Sequence, residues 1–338
     1  MKKLISLICV LAMVLALAAC GSSAPAAATE APAASTEAPA EDVSADKTFV
    51  VGICQLVQHP ALDAATQGFK DALTEALGDK VTFQEQNASG DSATCSLICN
   101  QFVSDEVDLI MANATASIQA AASATNTIPI LGTSITDYGV ALGVDNWTGV
   151  SGTNISGTSD LAPLDGQAAM IQELFPEAKT IGLLYCSGEP NSIFQADSME
   201  ALLTDMGYSV ERYTFADSND VSSVTANACS NADVLYIPTD NTAASCTEAI
   251  NNVALSAGIP IVAGEEGIAA GCGVATLSIS YYDLGRATGE MAAEILTEGA
   301  DISTMEVRFA PAFTKEYNAD ICEALNITVP EDYVAIAK

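Results

Sequence analysis

Cationic side chains are scarce in this sequence. Eleven Lys and Arg stand against 43 Asp and Glu, for a formal net charge of −32. A chain of this balance has no basic patch to lay on phosphates, which excludes nucleic acid and anionic lipid surfaces as partners. Histidine is scarcer still. With His59 alone, no Ser or Cys nucleophile can be assigned a base, and triad chemistry has no support. The chain holds a single tryptophan, Trp147, so a site that stacks sugar rings on indoles has little to draw on. No glycine fingerprint follows the first strand: Cys54 to Pro60 reads CQLVQHP, which gives a pyrophosphate no close approach to the backbone. No cofactor is expected. Beyond the N-terminal segment, no apolar run reaches membrane-spanning length without turn formers or charges.

What is present is a repeated unit. Ala232 to Ser245, ADVLYIPTDNTAAS, reads as a buried strand, a polar loop and a helix start. Val107 to Ser117, VDLIMANATAS, follows the same plan. The flanks recur too: Val50 to Ile53 matches Ile181 to Leu184, and Ile128 to Gly132 matches Ile259 to Gly264. Three elements in the same order, displaced by about one domain length, predict two similar Rossmann-like α/β lobes. In such sheets ligands bind beyond the carboxyl ends of the strands. The polar loops there offer Thr115, Ser117, Thr133 and Ser134 from the first lobe. From the second they offer Ser187, Gly188, Asp240, Asn241 and Glu265. Each hydroxyl reads equally well as a plain helix cap, and Glu189, Glu265 and Glu266 as solvated loop charges.

The N-terminus has the form of an export signal. Met1-Lys2-Lys3 precedes an apolar run from Leu4 to Ala19, too short to span a membrane and ending in small residues. Leu17-Ala18-Ala19-Cys20 resembles the lipobox of bacterial lipoproteins. That resemblance makes Cys20 the acylated first residue of the mature chain, held extracytoplasmically on the membrane by its lipid. Residues 21–46 are Ala, Pro, Ser, Thr and Glu with hardly a large side chain, which predicts a disordered tether. The expected first lobe is 47–150 plus about 281–304, and the second 151–280 plus about 305–338. A multi-strand hinge joins them, with its first crossing in the stretch Thr148 to Thr153.

Of the remaining cysteines, Cys54, Cys95, Cys99, Cys186, Cys229, Cys246, Cys272 and Cys322 mostly fall in apolar strand or helix patterns. They read as buried free thiols. Cys95 and Cys99, four apart on an expected helix, lack a second paired set, so no metal site is expected.

Several stretches carry a family resemblance. His59 to Asp63 (HPALD), Phe102 to Asp105 (FVSD), Tyr236 to Thr242 (YIPTDNT) and Tyr281 to Arg286 (YYDLGR) resemble the tryptophan/tyrosine-type substrate-binding proteins of ABC importers. The likeness spans nearly all of the chain after the tether. It implies a type I periplasmic-binding-protein fold, and a monomer that captures a free aromatic amino acid and delivers it to a permease. A zwitterion between lobes needs donors for its carboxylate and an acceptor for its ammonium. The expected carboxylate site is the Thr115–Ser117 turn at a helix N-terminus, with Thr133, Ser134, Ser187 and Gly188 adding to it. The expected ammonium acceptor is Asp240 or Glu265, and Tyr281 is a candidate to stack on an aromatic ligand.

Competing readings remain at this stage. A LacI-type repressor shares the two-lobe core, but this chain carries a signal and an acidic tether where a basic helix-turn-helix belongs. A sugar or nucleoside ligand is the main alternative. A cleft enzyme is the lesser one, for want of a nucleophile–base pair, metal set or cofactor loop.

Overall fold

The computed structural model of the protein describes residues 47–310 and 312–337. The signal segment, Cys20 and the tether lie outside the described residues. Five strands alternate with helices to build a first sheet: β1 (Phe49–Gln55), β2 (Val81–Asn87), β3 (Leu109–Asn113), β4 (Ile130–Ile135) and β5 (Ile155–Ser159). A second sheet repeats the scheme with β6 (Thr180–Cys186), β7 (Ser209–Phe215), β8 (Val234–Ile237), β9 (Ile261–Ala263) and β10 (Ala275–Ser278). Three short strands follow, β11 (Arg308–Phe309), β12 (Thr314–Tyr317) and β13 (Val334–Ala335).

The spatial orders are β11-β5-β4-β3-β1-β2 and β13-β12-β10-β9-β8-β6-β7. Five successive strands thus take the order 2-1-3-4-5 in each sheet, all paired in parallel. The repeat read from the sequence is a repeat of topology. Helices cover the sheets, so β3 (LIMAN) and β8 (VLYI) are buried along their whole length, as near-continuous apolar strands of parallel sheets are. In this order the chain reverses direction between β1 and β3, and again between β6 and β8. Loops at those reversals open a crevice beyond the strand ends.

The chain passes between the lobes three times. It leaves the first after β5, returns after β10 into the helix Tyr281–Glu298, and leaves again between β11 and β12. Two expectations are corrected here. The first crossing was expected at 148–153, yet β5 still pairs with β4 and β11 in the first sheet, so the crossing follows Ser159. Residues from about 305 were expected in the second lobe, yet β11 pairs with β5 in the first. Both errors have one cause: β5 reads ISGTS, with a single β-branched aliphatic to announce it. Ser280 caps the helix after β10, its hydroxyl accepting from the Asp283 N–H.

That helix lies on the helix Pro60–Leu77 with almost no gap. A Cβ added to Gly285 would fall 2.0 Å from the Ala65 carbonyl oxygen, and one added to Gly68 2.0 Å from that of Tyr282. The eight described cysteines are free thiols. Cys54 and Cys95 pack in the first-lobe core, each with Sγ 3.6 Å from the Ser117 hydroxyl. Among the described residues, no helix is long and apolar enough to cross a membrane.

Candidate functional site

A small cavity lies where the strand ends of the two sheets meet. The first lobe contributes His59 from the loop after β1, Ser134 and Thr136 from the end of β4, and Asp160 from just past β5. From the second lobe come Asn191, the turn Thr239–Asn241 after β8, and Glu265 after β9. Tyr281 closes it from the second crossing.

Three buried polar atoms on this cavity have no hydrogen-bond partner among the described residues: His59 Nδ1, Ser134 Oγ and Asp160 Oδ1. Each is held there for a local reason. Pro60 occupies the first turn of its helix and sets His59 at the cap position with extended backbone. Asn241 donates its Nδ2 to the Glu189 carboxylate at 2.7 Å, which fixes its Oδ1 toward His59 Nε2 at 3.3 Å. The Nε2 nitrogen therefore carries the proton, and Nδ1 is left as an acceptor. Burial lowers the His59 pKa, so the ring is neutral near pH 7. Ser134 sits at φ 56° in the irregularity that shifts the β4–β5 register between Gly132 and Ile135. A non-glycine residue in the left-handed region inside a strand is strain of the kind that gathers at binding sites. Asp160 accepts the Tyr281 hydroxyl on Oδ2 at 2.9 Å. Burial raises its pKa, while the Tyr281 and Thr136 hydroxyls pull the other way.

The other two cavity carboxyls are already engaged. Asp240 accepts the Ala243 N–H on Oδ1 at 2.8 Å and the Cys186 N–H on Oδ2 at 2.6 Å. Glu265 accepts the Ile268 N–H at 2.5 Å and the Gly267 N–H at 2.6 Å. Both are N-caps, and burial still pushes Glu265 up to about 7. Burial, with the nearby Glu189 charge, pushes Asp240 up to about 8. Glu189 is no solvated loop charge. It takes five hydrogen bonds from Asn191, Asn241 and Thr242, pinning the loop after β6 to the turn after β8.

Polar contacts across the cleft hold the lobes together. Besides His59 with Asn241, the Thr136 and Thr239 hydroxyls lie 3.4 Å apart, and Gln195 Nε2 reaches Thr136 Oγ1 at 3.4 Å. Of the residues expected from the sequence, the cavity gathers Ser134, Asp240, Asn241, Glu265 and Tyr281. Gly188 instead lines an outer groove, with Ala116 and Glu189. Four others point elsewhere. Ser117 faces the thiols, Thr133 meets the Thr158 hydroxyl at 3.3 Å, and the Ser187 hydroxyl donates to the Phe215 carbonyl. Thr115 is buried and lines neither space. Asp160 was missed because the crossing was placed before it. A polar residue just beyond a strand of the first sheet is the signal that would have found it. Trp147 stacks on Tyr138, ring centres 5.7 Å apart, against the first-lobe core.

The sequence profile of the family described as ABC transporter substrate binding protein matches residues 50–338. A tyrosine-binding protein of Clostridioides difficile (strain R20291) is 38% identical over 280 residues, covering 82% of this chain and 81% of that one. The ABC domain from Streptococcus pneumonia in complex with L-Trp superposes with a TM-score of 0.80 at 32% identity, covering 84% of this chain and 97% of that one. A ligand-free, open substrate-binding protein with adhesive properties from Clostridium difficile reaches a TM-score of only 0.66, at 37% identity and 86% and 99% coverage. The more similar sequence thus superposes less well when its structure is open, which agrees with the closed contacts across this cleft.

Proposed function

The chain belongs to the ABC transporter substrate-binding protein family, and on that premise we propose that it captures a free aromatic amino acid between its lobes. It works outside the cytoplasm and passes the ligand to the membrane permease of an importer. The observation that carries this reading is the set of three unpartnered atoms on one cavity. An ammonium group has three N–H donors, and Asp160 Oδ1, His59 Nδ1 and Ser134 Oγ can each accept one. Asp160 supplies the opposite charge that a buried cation needs. The ammonium site therefore moves from Asp240 or Glu265, whose oxygens cap helices, to Asp160.

The aromatic side chain is supported by what the relatives bind: tyrosine by name in one, L-Trp in the other. Ligand enters when the lobes part at the three crossings, a hinge motion common to two-lobe binding proteins. A sugar is disfavoured because Trp147 is spent on Tyr138 rather than offered to the cleft. The protein acts as a monomer, anchored through an acyl chain on Cys20. Radioactive fatty acid should label the wild type and not Cys20→Ala; label kept by the variant would contradict the anchor.

A thermal-shift screen over amino acids, sugars and nucleosides tests the ligand class. A ligand at about 100 times its Kd stabilises the folded state by roughly 2.7 kcal/mol. Shifts from aromatic amino acids alone are expected, and a response only to sugars or nucleosides would overturn the reading.

A further inference from the structure

The cleft carries formal charge of one sign. Asp160, Asp240 and Glu265 line the central cavity. Asp91, Glu189 and Asp217 line the outer groove, and Glu266 the groove on the Tyr282 side. Among the described residues, no Lys or Arg lines any of these three spaces. The described cations are committed elsewhere. Lys47, Lys80 and Lys179 precede β1, β2 and β6, at the strand ends opposite the cavity. Lys70, Arg212, Arg286, Arg308 and Lys315 pair with carboxylates outside the cavity lining.

The unpartnered atoms lean the same way. Asp160 Oδ1 and the His59 Nδ1 lone pair can only accept from a ligand, and Ser134 alone can either accept or donate. The Thr136, Thr239 and Tyr281 hydroxyls and the Asn191 and Asn241 amides on this cavity are already bonded within the protein, so a ligand carboxylate would find one uncommitted hydroxyl, that of Ser134, beside a neutral imidazole and three buried carboxyl groups. The backbone N–H groups that satisfy Asp240 and Glu265 are already used by them. An ionised Asp160 would repel that carboxylate strongly in a dry site.

We infer that the site recognises the ammonium end of its ligand and does not require the carboxylate, so that it accepts primary arylalkyl amines, the decarboxylated counterparts of aromatic amino acids. The inference rests on the aromatic amino-acid reading for the ring and on the charge of the cleft for the head group.

Titration calorimetry of the full chain with three congeners of each ring decides it. These are tryptophan, tryptamine and indole-3-propionate, and tyrosine, tyramine and 3-(4-hydroxyphenyl)propionate. The amine is expected to bind within tenfold of its parent amino acid or tighter, and the acid that lacks the amine to bind at least a hundredfold more weakly. An amine more than tenfold weaker than a parent that binds would overturn the inference and leave the amino-acid reading standing. So would an acid that comes within a hundredfold of that parent. Binding of the amine alone would support the inference and overturn the amino-acid reading. Binding of neither parent nor amine would overturn both.

Discussion

The Tyr281 hydroxyl donates to Oδ2 of Asp160 at 2.9 Å, and this bond ties the second passage between the lobes to the first. Tyr281 opens the helix Tyr281–Glu298, and Gly285 one turn later seats that helix against the Ala65 carbonyl. Asp160 follows β5 by one residue. Glycine thus allows close helix packing, the packing places a tyrosine, and the tyrosine orients the carboxylate whose other oxygen faces the cavity.

Removing that hydroxyl takes the Tyr281 donor from Asp160 Oδ2. Tyr281→Phe is expected to lower ligand affinity about tenfold, within the range for a hydrogen bond to a charged group. It also changes the pH profile. The Tyr281 bond holds the Asp160 pKa down against burial, so its loss raises that pKa further. Asp160 must be ionised to hold an ammonium, and affinity therefore falls on acidification. In Tyr281→Phe the fall should begin at a higher pH, read by calorimetry between pH 5 and 8. An unchanged profile would remove Tyr281 from the site.

Gly157 sits at φ 141°, and a Cβ there would fall 2.0 Å from the Gly132 carbonyl oxygen. Those two strand positions flank the irregularity that presents Ser134. Gly157→Ala is expected to cost about 3 kcal/mol or more in urea unfolding, because backbone must move as well as tolerate a strained conformation. Gly143→Ala is the control: φ is also positive, 65°, but nothing lies within 4 Å. It should cost about 1 kcal/mol. Equal losses would mean that the close approach to Gly132 is not what matters.

The cavity carboxyls give the empty protein an inverted pH response. Burial raises Glu265 from 4.5 to about 7 and, with the Glu189 charge, Asp240 from 3.8 to about 8. Below the unfolded values both states hold these protons, and the contribution to stability is fully present. As pH rises, the unfolded chain releases them first, so stability declines until the folded groups ionise near pH 7 to 8 and then levels off. Glu265 alone accounts for a decline on the order of 3 kcal/mol. In urea at pH 5 and pH 8, Glu265→Gln should lose less stability between the two than wild type does. An equal loss would show that Glu265 ionises normally.

The architecture was legible because a buried parallel strand announces itself: LIMAN and VLYI are continuous apolar runs followed by cap residues. Asp240 and Glu265 were legible as residues of the cleft, but not in their role. Whether a carboxylate at a helix start caps the helix or binds a ligand depends on where the neighbouring N–H groups point, and no spacing encodes that. Ser134 was found through its place after a strand, although its value lies in a positive φ within the strand's irregular end. Asp160 was not found at all, since the strand that delivers it is made of Ile, Gly, Ser and Thr. In the Thr115–Ser117 turn the Ser117 hydroxyl faces inward to Cys54 and Cys95, a direction that spacing does not encode.

Capture of the ligand as proposed depends most on Asp160 as the ammonium partner. Titration calorimetry of wild type and Asp160→Asn with the aromatic amino acid that gives the largest thermal shift tests it directly. The substitution keeps the shape of the side chain and removes its charge. It should weaken binding by about ten- to a hundredfold, while the ligand-free melting temperature stays the same or rises, because a buried carboxyl with a raised pKa is no longer forced to ionise. Binding by Asp160→Asn at wild-type affinity would contradict the assignment and return the ammonium to another carboxylate of the cleft.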